Sequence, residues 1–188
     1  MTDTEVNGHM QRVFTQIPPT MRFLYDMTRA HGDKVYVVYE DEQWSYNRLF
    51  ALADATADAL VNRYGIEPGD RVAIAMRNYP EWITSYIAIT SIGAVAVALN
   101  AWWTKDEMRY GLEDSGAKAV FADVQRAKVI APVQDELGFR LITVRADEET
   151  PGDRLEDVIV EGAACPPVDI DQDDPLTDRL DLVQDVGG

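Results

Sequence analysis

The sequence predicts an α/β fold: a doubly wound, mostly parallel sheet with helices on both faces. Three observations carry this. Strand-like and helix-like stretches alternate over four units. The strand-like runs are apolar almost throughout, as strands covered on both faces require. Capping residues and glycines mark the joints between units.

The elements follow in order. Lys34 to Tyr46 reads as two strands around a turn: Val35, Val37 and Tyr39 alternate, Glu40-Asp41-Glu42 turns, and Trp44 and Tyr46 return. Ser45 caps a helix whose stripe is Leu49, Leu52, Ala53, Thr56, Leu60 and Tyr64. Gly65 stops it in a left-handed conformation that glycine takes without strain, and Ile66 folds back. Pro68-Gly69-Asp70 turns into the strand Val72 to Met76. Asn78 and Glu81 have capping-box spacing, with Pro80 in the first turn, and that helix runs to Ile92 before Gly93. Val95 to Leu99 is the next strand. Thr104 and Glu107 repeat the box and open a helix ending near Gly116. Lys118 to Ala122 is a strand, Val124 to Glu136 one helix, and Phe139 to Val144 a strand.

A chain of 188 residues, 46% hydrophobic and 27% charged, is long enough to hold a core. One cysteine, Cys165, excludes an internal disulfide and a cysteine-based zinc site. Two histidines, His9 and His31, leave little for a metal centre or a Ser-His-Asp triad. The net charge of −16 argues against nucleic acid and anionic membranes as partners. The charge is unevenly placed: residues 147–188 hold 14 acidic and two basic groups, with four prolines. This divides the chain into an α/β subdomain, residues 1–146, and an acidic tail, 147–188, read as a linker or exposed wrap outside the core. The charge-free run from Trp82 to Thr104 matches a bilayer in length, but its serines, threonines and Gly93 split it into helix and strand. The expected compartment is the cytosol, with room for peripheral membrane contact and no transmembrane segment.

Ligands of such sheets bind beyond the carboxyl ends of the strands. The loops there are Arg77-Asn78-Tyr79-Pro80, Asn100-Ala101-Trp102-Trp103 and the turn at Asp123, and none is glycine-rich. Each chemical candidate has a plainer account. Asp106-Glu107 and Glu113-Asp114 read as a charged first turn and a solvated face. Trp102-Trp103 reads as half-buried packing as readily as a stacking surface. Arg77 and Lys105 read as surface ion pairs or anion contacts. Ser45 and Ser91 lack a nearby histidine, His31 sits in a loop, and Cys165 has no basic neighbour in sequence. On these grounds no residue is assigned a catalytic role and none a metal.

Over roughly residues 10 to 177 the chain resembles the N-terminal region of the acyl-adenylate-forming enzymes. The resemblance rests on Trp44-Ser45-Tyr46, on Ala51 to Leu60, and on Gly65-Ile66-Glu67-Pro68-Gly69-Asp70-Arg71-Val72-Ala73-Ile74. It continues through Met76-Arg77-Asn78-Tyr79-Pro80-Glu81-Trp82, Gly93-Ala94-Val95, Leu99-Asn100, Glu107 and Asp114-Ser115-Gly116-Ala117-Lys118. Glu81-Trp82 and the alanine-rich helix look most like fatty acyl-CoA synthetases.

The resemblance implies a partial N-terminal subdomain of the adenylate-forming fold. It implies that the whole enzyme joins a fatty acid or other carboxylate to AMP, using ATP and Mg²⁺, and passes the acyl group to CoA. The family's phosphate loop should follow a segment like Asp173-Asp174-Pro175-Leu176-Thr177, where this chain instead reads Asp178-Arg179-Leu180-Asp181-Leu182. The expectation is therefore a truncated acyl-CoA synthetase, inactive and without cofactors of its own. Codons read one nucleotide later near Thr177 can spell the family's motif, suggesting a slipped frame. The alternative is a non-catalytic module that pairs with a full-length relative or self-associates through exposed apolar surface. The resemblance places the loop after Asn100 near the thiol-entry side, which makes Trp102 and Lys105 the ligand-proximal candidates.

Overall fold

A computed structural model of the chain describes residues 1–6, 8–13, 18–171 and 174–178. The expected departure from the family at residues 179–182 lies outside these. Strands β1 (Thr2–Val6) and β2 (His9–Val13) pair as an antiparallel hairpin apart from the main sheet. Helix α1 (Met21–Thr28) is capped by the Thr20 hydroxyl. Strands β3 (Val35–Tyr39) and β4 (Glu42–Ser45) form the expected second hairpin. Ser45 caps α2 (Tyr46–Asn62) by accepting from the Arg48 N–H, as read from sequence. Gly65 stops the turn at φ 66°, and the Ile66 N–H folds back onto the Leu60 carbonyl at 2.9 Å.

The main sheet then forms in four strand–helix steps. β5 (Arg71–Ala75) leads through α3 (Pro80–Ser91) to β6 (Val95–Ala98). α4 (Lys105–Ser115) carries the chain back past β5 to β7 (Ala119–Asp123). α5 (Val124–Ile130), a 3₁₀ turn at Ala131–Val133 and the single turn α6 (Gln134–Leu137) lead to β8 (Arg140–Val144). β9 (Asp153–Arg154), the turn α7 (Leu155–Val158) and β10 (Thr177–Asp178) complete it. The strand order is β10-β6-β5-β7-β8-β9, and every neighbouring pair is parallel. The sheet is thus doubly wound as expected, and all its pairs are parallel.

Helices cover both faces. On one face α2, α3 and α7 bury Leu60, Ile89, Leu155 and Val158 against Val72, Ile74, Phe121 and Ile142. On the other, α4 and α5 bury Met108, Leu112, Ala127 and Ile130 against Ala73, Val97, Val120 and Leu141. A third cluster seats α1 on α2 and α3 through Tyr25, Leu49, Phe50 and Ile87. The Tyr25 hydroxyl lies 3.0 Å from the Thr90 hydroxyl, and burial pushes its pKa up to about 12.

Three expectations need correction. Asn78 does not cap α3. The proline ring holds Pro80 at the first helical position and Tyr79 extended before it, so Tyr79 is the cap residue and no side chain caps the helix. The helix expected from Val124 to Glu136 breaks after Ile130, where Pro132 removes a backbone donor. The acidic segment is not wholly outside the core: β9 joins the sheet edge, and Leu155 and Val158 are buried.

After β9 and α7, residues 159–171 of the connection toward β10 form a belt. The connection joins strands at opposite edges of the sheet, and the belt packs Ile159, Cys165 and Val168 against the α2–α3 side. A single guanidinium clips it. Arg22 of α1 donates to the carbonyls of Pro166 at 2.7 Å, Ser91 at 3.2 Å and Cys165 at 3.4 Å. Cys165 therefore does have a basic neighbour. Burial outweighs it, and the thiol pKa lies above its ordinary value.

Candidate functional site

In a doubly wound sheet the winding direction reverses at one strand, and a crevice opens at the carboxyl ends there. Here the loop after β5 leads one way, to β6, and the loop after β7 leads the other way, to β8. The crevice between them is bridged by Asp123, the last residue of β7 and the cap of α5. One carboxylate oxygen accepts from the N–H groups of Gln125 and Arg126, each at 3.1 Å. The other accepts from the Arg77 N–H at 3.0 Å, tying the β5 loop to β7.

Arg126 extends this network. Its guanidinium lies 3.2 Å from Asp123, and the two residues are 6% and 4% exposed. A buried pair is supported only when its remaining donors are satisfied. Arg126 Nε donates to the Ala101 carbonyl at 2.8 Å, Nη2 donates to the same carbonyl, and Nη1 also reaches the Gln125 side chain at 3.1 Å. The loop after β6 is thereby tied to the same carboxylate.

That loop displays Trp102. Its N–H donates to Asn100 Oδ1 at 2.9 Å. The residue is 75% exposed, so the half-buried packing account is corrected for Trp102. Trp103 does pack, against the α4–α5 side. Arg77 forms no ion pair among the described residues. Its guanidinium lies 4.8 Å from the centre of the Trp102 ring, and that of Arg126 lies 5.9 Å away, both within cation–π range. Lys105 is exposed at the first position of α4. The site therefore presents an indole flanked by the guanidinium groups of Arg77 and Arg126, with Lys105 three residues on in sequence. An exposed ring beside cationic groups can meet a planar or anionic group.

A second cluster lies at the end of β8. Arg145, at φ 52°, donates to Glu42 at 2.8 Å and Glu81 at 2.9 Å, and sits 5.0 Å and 5.1 Å from the rings of Tyr39 and Tyr79. Burial lowers its pKa, but the two carboxylate hydrogen bonds outweigh that and the net shift is upward. Beside it Val37, Val38, Tyr79, Pro80, Trp82 and Ile83 line an apolar groove of about 250 Å³.

The other candidates are structural. Glu107 closes the capping box on Thr104. Glu113 and Asp114 are exposed. Ser45 caps α2, and the His31 ring packs 4.8 Å from that of Tyr46. Sequence reasoning missed Arg126 and Arg145. The i,i+3 spacing of Asp123 and Arg126 was the available signal for the first. The partners of Arg145 lie 64 and 103 residues away, and no local signal marks it. Among the described residues no group of three or more His, Cys, Asp or Glu side chains is placed to hold a metal ion. Among the described residues no helix is long and apolar enough to cross a membrane.

The carboxylates predict an acid response. The hydrogen bonds from Arg145 and Trp44 hold Glu42 below its ordinary value of 4.5, and Thr104 does the same for Glu107. Between the folded and unfolded values the unfolded state binds more protons. The contribution is complete above pH 4.5 and lost as pH falls through the lowered folded value. Urea midpoints should fall between about pH 6 and about pH 3, and Arg145→Met should reduce the fall.

Known proteins resemble this chain in sequence and fold. A family model described as AMP-binding enzyme matches residues 24–177. The 3-hydroxybenzoate–CoA ligase of Aromatoleum sp. (strain CIB) is 32% identical over 134 residues, covering 71% of this chain and 25% of the relative. The long-chain-fatty-acid–CoA ligase FadD13 of Mycobacterium tuberculosis is 33% identical over 123 residues, 57% of this chain and 24% of the relative. The solved N-terminal domain of FACL13 from Mycobacterium tuberculosis superposes with TM-score 0.70 at 26% identity, covering 84% of this chain and 40% of that one. The chain thus spans about a quarter of the length of the curated relatives it matches.

Proposed function

Because the chain belongs to the AMP-binding enzyme family, we propose that it is the N-terminal part of an acyl-CoA ligase acting on fatty or related carboxylic acids. The observation that carries this reading is the unbroken family match over residues 24–177, together with the likeness to a solved N-terminal domain. The intact ligase activates a carboxylate with ATP and Mg²⁺ and transfers the acyl group to CoA. In that enzyme this chain supplies the parallel sheet and the acceptor-side loop. Trp102 and Lys105 are its residues near the thiol substrate: the indole stacks on a planar ring and the ammonium meets an anionic group.

Adenylation needs donors and a metal arranged around a triphosphate. ATP–pyrophosphate exchange with benzoates and fatty acids should therefore show no turnover by the isolated chain, and clear turnover would overturn the reading. CoA should alter tryptophan fluorescence saturably. Trp102→Ala should abolish the change, and Lys105→Glu should weaken the apparent affinity roughly tenfold.

A second reading is a non-catalytic module that pairs with a full-length relative or with itself. The exposure of Phe23, Leu24 and Met27 on α1 and of Val35 and Val38 on β3 favours it. Elution as a monomer across a concentration series would count against self-pairing.

A further inference from the structure

The loops after β5, β6 and β7 belong to three different strand–helix units, and the strand ladders do not join them. One carboxylate–guanidinium pair does. Asp123 holds the Arg77 N–H of the first loop and the start of α5. Arg126, one turn into α5, holds the Ala101 carbonyl of the second loop with two of its nitrogens. The geometry of the fork matters. A guanidinium can grip Asp123 with one arm and Ala101 with the rest, whereas an ammonium is a single point. Trp102 follows Ala101 directly and is flanked by Arg77 and Arg126, so both partners of its ring are set by the same pair.

We infer that Asp123 and Arg126 are positioning residues for the acceptor loop, holding Trp102 out in solvent beside Arg77 before any ligand arrives. The purpose of that placement rests on the assignment of Trp102 to the thiol side. The placement itself is a property of this chain alone. Preorganisation of this kind means that a ligand does not have to order the loop as it binds.

Amide hydrogen exchange on the full chain without ligand tests the placement. The reporters are the N–H groups of Arg77, bonded to Asp123, and of Trp102 and Trp103, bonded to Asn100. Arg126→Lys keeps the charge and loses the fork. It should speed exchange at these three positions at least about tenfold while leaving Leu141 and Ile142 of β8 within about threefold. Asp123→Asn keeps an oxygen for the α5 cap but turns an NH2 toward the Arg77 N–H, and should speed exchange most at Arg77, with smaller effects at Trp102 and Trp103. Arg126→Met removes both functions and serves only if it folds. Equal acceleration at loop and core positions, or none at the loop, would overturn the proposal. A CoA titration of the same variants is the second arm. Weaker CoA binding by Arg126→Lys with an intact core supports the purpose. Wild-type protein that fails to bind CoA removes the thiol-side assignment and leaves the exchange result to decide the positioning.

Discussion

Gly152→Ala should destabilise the chain by about 3 kcal/mol or more, from two costs that add. Gly152 adopts φ +100°, a conformation that L side chains rarely enter. A Cβ there would lie 2.9 Å from the Leu141 carbonyl oxygen and 2.7 Å from its Cγ. The carbonyl belongs to β8, whose ladders on both sides leave it no room to yield. The displaced atoms would push β9 off Ile142 and Thr143, and with it the buried Leu155 and Val158. Thermal unfolding followed by circular dichroism should show a midpoint lower by roughly 6–12 °C. Gly138→Ala separates the two costs. Gly138 is also left-handed, at φ +73°, but has nothing within 4 Å of the built Cβ, so it should cost only about 1–2 kcal/mol. Equal losses at both positions would mean that the contact with Leu141 contributes nothing.

The second large effect is expected at Phe121. This ring is 0% exposed in β7, which lies between β5 and β8, and its residue pairs with Ile74 on one side and Ile142 on the other. The strands are held at fixed spacing, so the space left by alanine cannot close by collapse. Phe121→Ala should therefore cost about 3–5 kcal/mol, with Phe121→Leu losing less because it fills part of the void. Urea unfolding should show the midpoint moving with the slope unchanged. Tyr110→Ala, at a half-exposed position of α4, should stay within about 0.5 kcal/mol and serves as the control.

Much of the sheet was legible because its signals are local. Strands such as Val72–Ala75 are apolar on both faces, and Thr104 with Glu107 marks a helix start within four residues. The glycines at 65, 93 and 116 stop helices through backbone geometry that needs no distant partner. The misreadings arose where a local rule met a stronger one. At Asn78 the capping spacing was present, but Pro80 fixed the helix start one residue later. In the segment after Asp147 the acidic residues dominate the composition, and only Leu155 and Val158, three apart, betray the buried turn. The candidate site was legible as a set of loops and not as a network. Asp123, Arg126, Arg77 and Ala101 meet only because β5, β6 and β7 end side by side, which no spacing along the chain encodes.

The Arg22 clip also bears on the order of assembly. It joins α1 to Pro166 across 144 residues of sequence, so closing it encloses most of the chain in one loop. The entropy of such closure rises with loop length and must be met before the contact yields any return. The four strand–helix units close far smaller loops and bury most of the apolar core without the belt. The belt is accordingly expected to dock after β5 to β8 have paired. Release of residues 159–171 would leave the buried members of both hydrophobic layers in place.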